Sequence, residues 1–142
     1  METVKNSIKK HEGFRNKVYK DTLGKRTIGY GHLCVEDWWE DDKEYTQAEL
    51  ERIFDKDFDK AKDGASKLYE GCEINDTAKG IIIEMVFQLG TTGVSKFKNM
   101  WKALKETPPN YSVAKIEMLD SRWAKQTPNR AKELSNTMGE II

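Results

Sequence analysis

A helical pattern of unusual length near the middle of the chain constrains the fold most. Thr46 and Glu49 have the spacing of a capping box, in which each side chain satisfies a backbone N–H group at the start of a helix. Apolar residues then recur at helical spacing as far as Leu68. We therefore predict one helix over residues 47–69, which Gly71 ends at the latest. At about 1.5 Å per residue, such a helix can bridge two lobes of a small domain.

The second half of the chain predicts further helices. Asn75 or Asp76 can cap a segment that shows little polar face before Gly90 closes it, a pattern typical of a buried central helix. Proline suits the first helical position because its missing N–H would have no partner there. On these signals we expect shorter helices at residues 94–104 and 112–119, and a last helix that opens at Thr127-Pro128 and runs toward Met138.

The first third of the chain predicts a short helix and a hairpin. Apolar residues four apart suggest a helix over residues 3–11, which Gly13 ends. The period then shortens, residues 18–21 and 26–30 look like strands, and Gly24 suits a tight turn between them. Facing side chains across an antiparallel pair lie about 5 Å apart, so the hairpin can bring both strands' residues toward one space. The sequence leaves the register and the face open.

The composition fits one folded domain without a strong charge preference. The chain has 142 residues, 37% of them hydrophobic, and its 24 basic residues balance 24 acidic ones. A chain of this length can bury a real core, and its charge balance does not suggest nucleic-acid binding. The sequence has no apolar run of the length that a membrane span or a signal peptide needs. We therefore expect synthesis in the cytoplasm, no self-directed export and no membrane insertion.

The cysteines and histidines do not predict a metal or cofactor site. Cys34 and Cys72 lack CxxC spacing, and in a chain that is not exported two free thiols are expected rather than one bridge. His11 and Glu12 are not followed by the second histidine of a zinc-binding HExxH motif. We expect neither a metal ion nor a cofactor.

Two carboxylates bracket the first predicted strand. Glu12 precedes the strand, Asp21 ends it, and Thr27 lies near the start of the next strand. Glycoside cleavage uses such a pair, because one protonated acid donates to the leaving oxygen while one carboxylate handles the developing positive charge or a water. Most carboxylate pairs in a chain with 24 acidic residues are solvated surface groups, so their spacing alone does not establish a catalytic role for Glu12 and Asp21. Three basic residues farther along form a solvated face, or one of them pairs with Glu12: Arg122, Lys125 and Arg130.

The end of the second strand carries further candidates. Gly29 and Gly31 can let a polymer ligand approach the backbone closely, or they serve a bend that has no ligand. From the residues alone, we interpret His32 as a source of structural hydrogen bonds near the hairpin rather than as a catalytic base.

Tryptophans occur in two settings. Residues 35–44 form an acidic segment without a clear period, which predicts a loop, and its Trp38 and Trp39 can stack on sugar rings, act as a lid or pack. Trp101 and Trp123 lie inside helical segments, so we expect them in the core.

These residues together resemble the lysozymes of the T-even phages, glycoside hydrolase family 24. The family signature is a glutamate, eight residues, an aspartate or cysteine, five residues and a threonine, and Glu12, Asp21 and Thr27 reproduce it. Similar blocks follow in the same order over nearly the whole chain, at residues 19–22, 27–33, 85–90, 92–94, 121–123 and 126–131.

The resemblance implies an α+β, mostly helical lysozyme-like fold in a single domain over residues 1–142. A small N-terminal lobe with the β-hairpin would cover about residues 12–45, a long connecting helix about 46–70, and a helical C-terminal lobe about 71–142. The helix at residues 3–11 would pack on the C-terminal lobe. Peptidoglycan would bind in the cleft between the lobes.

The resemblance also implies roles for individual residues. Glu12 would be the general acid that protonates the oxygen between N-acetylmuramic acid and N-acetylglucosamine, and Arg130 would pair with it. Asp21 and Thr27 would position and activate the water, with inversion at the anomeric carbon. Five further residues would line the sugar subsites: Gly31, His32, Leu33, Phe87 and Gln88.

The chain departs from the family pattern in three respects. Glu84 stands where the family's lysozymes commonly carry asparagine. The loop at residues 35–44 is shorter than the usual inter-lobe segment and differs in sequence. The net charge of zero contrasts with the basic character of many wall hydrolases, so we expect weaker or more salt-tolerant wall binding.

These features predict a phage endolysin, a muramidase that acts as a monomer on bacterial peptidoglycan. It would accumulate in the host cytoplasm and reach the cell wall and periplasm when a holin-type protein opens the membrane. The alternative is a non-catalytic peptidoglycan-binding or virion structural module with a lysozyme fold. Within enzymes, a chitin-directed activity is a lesser variant.

Overall fold

A computed structural model describes all residues from 1 to 142. Helices make up 61% of the chain and a small antiparallel sheet lies near its N-terminus, which confirms the mostly helical α+β fold. In chain order the elements are α1 (Glu2–Glu12), β1 (Arg15–Lys20), β2 (Arg26–Gly29), β3 (His32–Leu33), α2 (Gln47–Tyr69), α3 (Asp76–Ser95), α4 (Lys98–Leu104), α5 (Tyr111–Leu119), α6 (Arg122–Gln126) and α7 (Pro128–Gly139). None of the helices has the length and apolar character needed to cross a membrane.

The chain divides into two compact units within the long helix α2. One unit comprises Glu2–Lys60, and the other comprises Ala61–Ile142 together with Met1. Helix α2 therefore contributes to both units, and the hydroxyl of Thr46 accepts from the backbone N–H of Glu49 at 3.1 Å, as the capping pattern predicts. The lobe limits implied by the resemblance, and the packing of the first helix on the C-terminal lobe, stay predictions.

The N-terminal unit is built around a sheet in the order β1-β2-β3. The buried Ile28 of β2 belongs to a small core with Trp39, Tyr45 and Leu50. The hairpin of β1 and β2 confirms the two predicted strands, although β1 begins earlier, at Arg15. Strand β3 was not predicted, because two residues are too few for an alternating pattern to be recognised.

Helix α1 is held to the first half of α2. Lys9 Nζ lies 2.9 Å from Glu51 Oε2, and the same ammonium lies 5.0 Å from the centre of the Phe54 ring, at cation–π distance. Ile8 on the same helix is fully buried. These contacts fix the C-terminal end of α1, where Glu12 is located.

The C-terminal unit is helical around the nearly apolar helix α3. Asn75 caps α3 by accepting from the N–H of Ala78 at 2.9 Å, as predicted. Gly90 breaks the helix where predicted, because it adopts a non-helical φ of 80° and ψ of 161°; beyond this kink a further helical segment, which was not predicted to be continuous with the first, runs as far as Ser95. Trp101 and Trp123 are 6% and 3% exposed, so both lie in the core as predicted.

The later helices differ from expectation at their ends. Helix α4 begins at Lys98 rather than at residue 94. Thr127 precedes Pro128 of α7, but its side chain makes no capping bond; its hydroxyl donates to the Trp123 carbonyl at 3.1 Å. The reason is that Thr127 also ends α6, a five-residue helix whose pattern is too short to predict.

Candidate active site

Glu12 is the last residue of α1, and its carboxylate lies against the turn between β2 and β3. Gly13 adopts a φ of 72°, and its N–H donates to the Lys9 carbonyl at 2.9 Å, which ends the helix. A β-carbon on Gly31 would lie 2.5 Å from Glu12 Oε1 and 3.1 Å from its Cδ. The Glu12 carboxyl group therefore occupies the space that any side chain at position 31 would need.

Asp21 is fixed by the hairpin turn that follows it. Its Oδ1 accepts from the backbone N–H groups of Leu23 and Lys25, each at 2.9 Å, and its own N–H donates to the Lys25 carbonyl at 2.9 Å. Hydrogen bonds of this kind orient a carboxylate and stabilise its charge. These bonds hold one oxygen of Asp21 and leave Oδ2 available to another partner.

Thr27 shares a sheet face with Asp21. The register pairs Tyr19 with Thr27 and Lys20 with Arg26, which places Asp21 opposite Lys25. Side chains two positions apart on an antiparallel ladder lie on the same face as diagonal neighbours. The Thr27 side chain is buried, with 4% exposure, and its hydroxyl donates to the Lys25 carbonyl at 3.0 Å. The register thus brings Asp21 and Thr27 together, which the sequence left open.

Tyr19 belongs to this site, although the sequence did not single it out. Burial raises the pKa of its phenol above the usual value, and the carboxylates of Glu12 and Asp21 add to the rise, while Arg15 opposes it. Arg15 lies over the Tyr19 ring at 4.8 Å from its centre. Its position in the sequence could have identified it, because Tyr19 precedes Asp21 by two residues and therefore shares its strand face.

His32 links β3 to α2 and to the loop after the sheet. Its Nδ1 lies 2.7 Å from Asp57 Oδ2, and its Nε2 lies 2.9 Å from Glu36 Oε1. Carboxylates only accept, so satisfying both requires both ring nitrogens to carry protons. The hydrogen bond to Asp57 raises the pKa of His32, burial opposes it, and the bond to Glu36 adds to the rise. His32 thus makes structural hydrogen bonds, as the residues alone predict, and its contact with sugar stays a prediction.

The remaining predicted site residue of this unit is Leu33. Its side chain is 43% exposed, and it pairs with Thr27 across the β2–β3 ladder. It is therefore accessible beside Thr27.

Gln88 and Phe87 lie in the C-terminal unit, on α3. The Gln88 side chain is held at both ends: its Oε1 accepts from Trp123 Nε1 at 2.8 Å, and its Nε2 donates to Thr127 Oγ1 at 3.3 Å. Phe87 is partly buried. The predicted contacts of both residues with sugar stay predictions.

Arg130 makes a buried ion pair with Glu84 in the C-terminal unit. Arg130 Nε donates to Glu84 Oε2 at 2.9 Å, and the two residues are 8% and 1% exposed. The acid that departs from the family pattern therefore binds the arginine that the resemblance assigns to Glu12. The pairing of Arg130 with Glu12 stays a prediction.

The other polar groups form no metal centre. No group of three or more His, Cys, Asp or Glu side chains is placed to hold a metal ion. Cys34 and Cys72 are free thiols, as predicted.

Comparison with known proteins decides the family. The model of the phage lysozyme family matches residues 9–137, a range that contains every predicted site residue. The chain belongs to the phage lysozyme family. It is accordingly a muramidase-type glycoside hydrolase.

Similar proteins agree with this membership of the phage lysozymes. Probable T4-type lysozymes 2 and 1 of Dictyostelium discoideum are each 30% identical over 93% of this chain and 91% of the relative. The pre-baseplate central spike protein Gp5 of Enterobacteria phage T4 is 30% identical over 90% of this chain, but the match spans only 26% of that protein.

Proposed function

We propose that this chain is an endolysin that hydrolyses the β-1,4 bond between N-acetylmuramic acid and N-acetylglucosamine in peptidoglycan, with inversion. The observation that carries the proposal is the register of β1 and β2, which places Asp21 and Thr27 on one sheet face. Tyr19 lies opposite Thr27, and the Glu12 carboxylate contributes to the raised pKa of the Tyr19 phenol. The three residues to which the proposal assigns the roles of acid and water-binding pair therefore belong to one small unit.

In this mechanism Glu12 donates its proton to the glycosidic oxygen as the bond to the anomeric carbon breaks. A water attacks that carbon from the opposite face, as inversion requires. Asp21 takes a proton from the water through Oδ2, since its other oxygen is held by backbone N–H groups. Thr27 accepts a hydrogen bond from the same water, because its own hydroxyl hydrogen points to Lys25.

The family resemblance extends the proposal to binding residues. Arg130 would pair with Glu12 and hold it in place. The sugar subsites would be lined by Gly31, His32, Leu33, Phe87 and Gln88.

The proposal has a direct stereochemical test. Proton NMR of the earliest product from soluble peptidoglycan fragments should show the inverted anomer before mutarotation. Retention of configuration would refute the water-positioning role of Asp21 and Thr27, because retaining enzymes proceed through a covalent glycosyl intermediate.

The proposed setting is the host cytoplasm, where the monomer accumulates until a holin-type protein opens the membrane and admits it to the wall. Expression in bacteria should leave cells intact until the membrane is permeabilised, after which the culture should clear. Clearing without permeabilisation would contradict the need for a holin-type partner.

One observation supports a second candidate function, that of a virion structural module, and whether such a module has lost turnover is decided by experiment. The similarity to a phage spike protein covers only 26% of that protein, so a related segment occurs within a structural protein. Purified protein that binds walls without releasing reducing sugar ends would support the module. A comparison of the sugars released from chitin and from peptidoglycan would show whether the enzyme acts on chitin instead.

A further inference from the structure

One tryptophan of the N-terminal unit is left in solvent. Trp38 is 58% exposed, whereas the other three tryptophans of the chain are at most 6% exposed. Two exposed apolar side chains precede it closely, Leu33 at 43% and Val35 at 79%. Large apolar groups exposed together are uncommon and often mark a binding surface.

The neighbouring Trp39 holds this loop in one conformation. Its indole N–H donates to Glu36 Oε1 at 2.6 Å, and its ring meets the edge of Tyr45 at 4.8 Å between centres. Its carbonyl accepts from Arg26 Nη2 at 3.0 Å. Trp39 therefore packs, and the loop that carries Trp38 is anchored to the strand that carries Thr27.

Ring contacts lead from Trp38 to the candidate active site. The Trp38 and Trp39 rings are 6.0 Å apart between centres, and the Trp39 and His32 rings are 5.9 Å apart. His32 directly follows Gly31, against which the Glu12 carboxyl group lies. A chain of ring contacts thus leads from the exposed Trp38, through the buried Trp39, to the histidine that follows Gly31.

The charge around Trp38 selects among possible ligands. Residues 35–44 contain six acidic side chains and one lysine, so a sugar unit without a charge is favoured at Trp38 over a unit that carries a carboxylate. An uncharged pyranose has an apolar C–H face that an indole ring can cover, while the rim of the ring meets water.

We propose that Trp38 is an aromatic platform for one uncharged N-acetylhexosamine unit of the glycan, beyond the sugars at the scissile bond. The proposal deepens the proposed function and rests on it. Because the loop is already ordered by Trp39, Glu36 and Arg26, little conformational freedom is lost on binding.

The test measures binding of a peptide-free N-acetylglucosamine–N-acetylmuramic acid tetrasaccharide and of chitotetraose by calorimetry, in a Glu12→Gln background that prevents turnover. Trp38→Ala should weaken binding about three- to tenfold, and Trp38→Phe should restore most of the affinity. Ile116→Ala is the matched control, since Ile116 is also exposed, at 62%, on α5 of the other unit; it should leave binding unchanged.

Two further readouts keep the proposal separable from folding and from the proposed function. Sugar should shift the tryptophan emission to shorter wavelength in the parent, and Trp38→Phe should abolish that shift although three buried tryptophans remain. With Glu12 intact, Trp38→Ala should raise KM and leave kcat unchanged. Unchanged affinity and an unchanged emission shift would overturn the platform, whereas failure of the parent to release reducing ends would overturn the proposed function.

Discussion

The Glu12 carboxyl group lies against the α-carbon of Gly31, so the position of the proposed acid depends on a residue without a side chain. Gly31 also has a φ of 78°, which favours glycine. A β-carbon there would meet the end of the flexible Glu12 side chain. That side chain can rotate away at little cost in stability, and its rotation would displace the carboxyl group from its working position.

Gly31→Ala should therefore separate activity from stability. We expect it to lower the free energy of unfolding by about 1–2 kcal/mol through backbone strain and to reduce reducing-end release about 100-fold, since misplacement by an ångström can have that effect. Gly71→Ala is the control, because Gly71 has a φ of 81° and no atom within 4 Å of its β-carbon position. Urea unfolding and sugar release measure the two effects. Equal activity of both variants would mean that the contact with Glu12 does not matter.

At the scale of elements, two links hold the N-terminal unit together, α1 to α2 through Lys9 and β3 to α2 through His32, and within the C-terminal unit Glu84 links α3 to α7. Helix α2 was predicted correctly at residues 47–69, because a capping box and a long regular period are local signals. The register of β1 and β2 and the partners of His32 could not be predicted, since they depend on tertiary contacts. Asp57, for example, lies 25 residues from His32.

The His32 link should make stability depend on pH. The folded-state pKa of His32 is raised, so its contribution is fully present below the unfolded value of about 6.5 and is lost as the pH rises through the folded-state pKa. The difference in unfolding free energy between the parent and Asp57→Asn should accordingly be largest near about pH 6 and shrink toward alkaline pH. Urea unfolding at several pH values measures it, and a difference that grows with pH would contradict the assignment.

The Glu84–Arg130 pair should stabilise the packing of α3 on α7. Both residues are buried, so removing one charge takes away the ion-pair partner of the other. Glu84→Gln should therefore lower the free energy of unfolding by about 3 kcal/mol. A double-mutant cycle with Arg130→Gln provides the control, since the double variant should lose less than the sum of the single variants. Additive losses would show that the two side chains do not interact.

At the scale of the whole molecule, the chain is divided into two units and its charges balance. Its family and its mostly helical fold could be predicted from motifs that are spread along the chain. The sequence also offered candidate site residues, which stay predictions, but it could not give the partners of Glu84, Gln88 and His32, because these side chains are held by side chains distant in sequence.

The balanced charge predicts wall lysis that depends little on salt. With 24 basic and 24 acidic residues, screening has no large net attraction to remove, so the clearing rate should change less than about twofold between about 0.05 and 0.3 M NaCl. A variant with Glu70→Lys and Glu106→Lys, both at exposed positions, should clear walls faster at low salt and slow steeply as salt rises. A steep salt dependence of the parent would contradict this account.

The most direct test of the central claim is reducing-end release from purified peptidoglycan by Glu12→Gln. We predict a variant with the circular dichroism spectrum and melting temperature of the parent and with release lowered at least about 1,000-fold, because no proton reaches the leaving oxygen. Glu2→Gln, at the exposed start of the same helix, should keep full activity. Near-normal release by Glu12→Gln would contradict the assignment of Glu12 as the general acid.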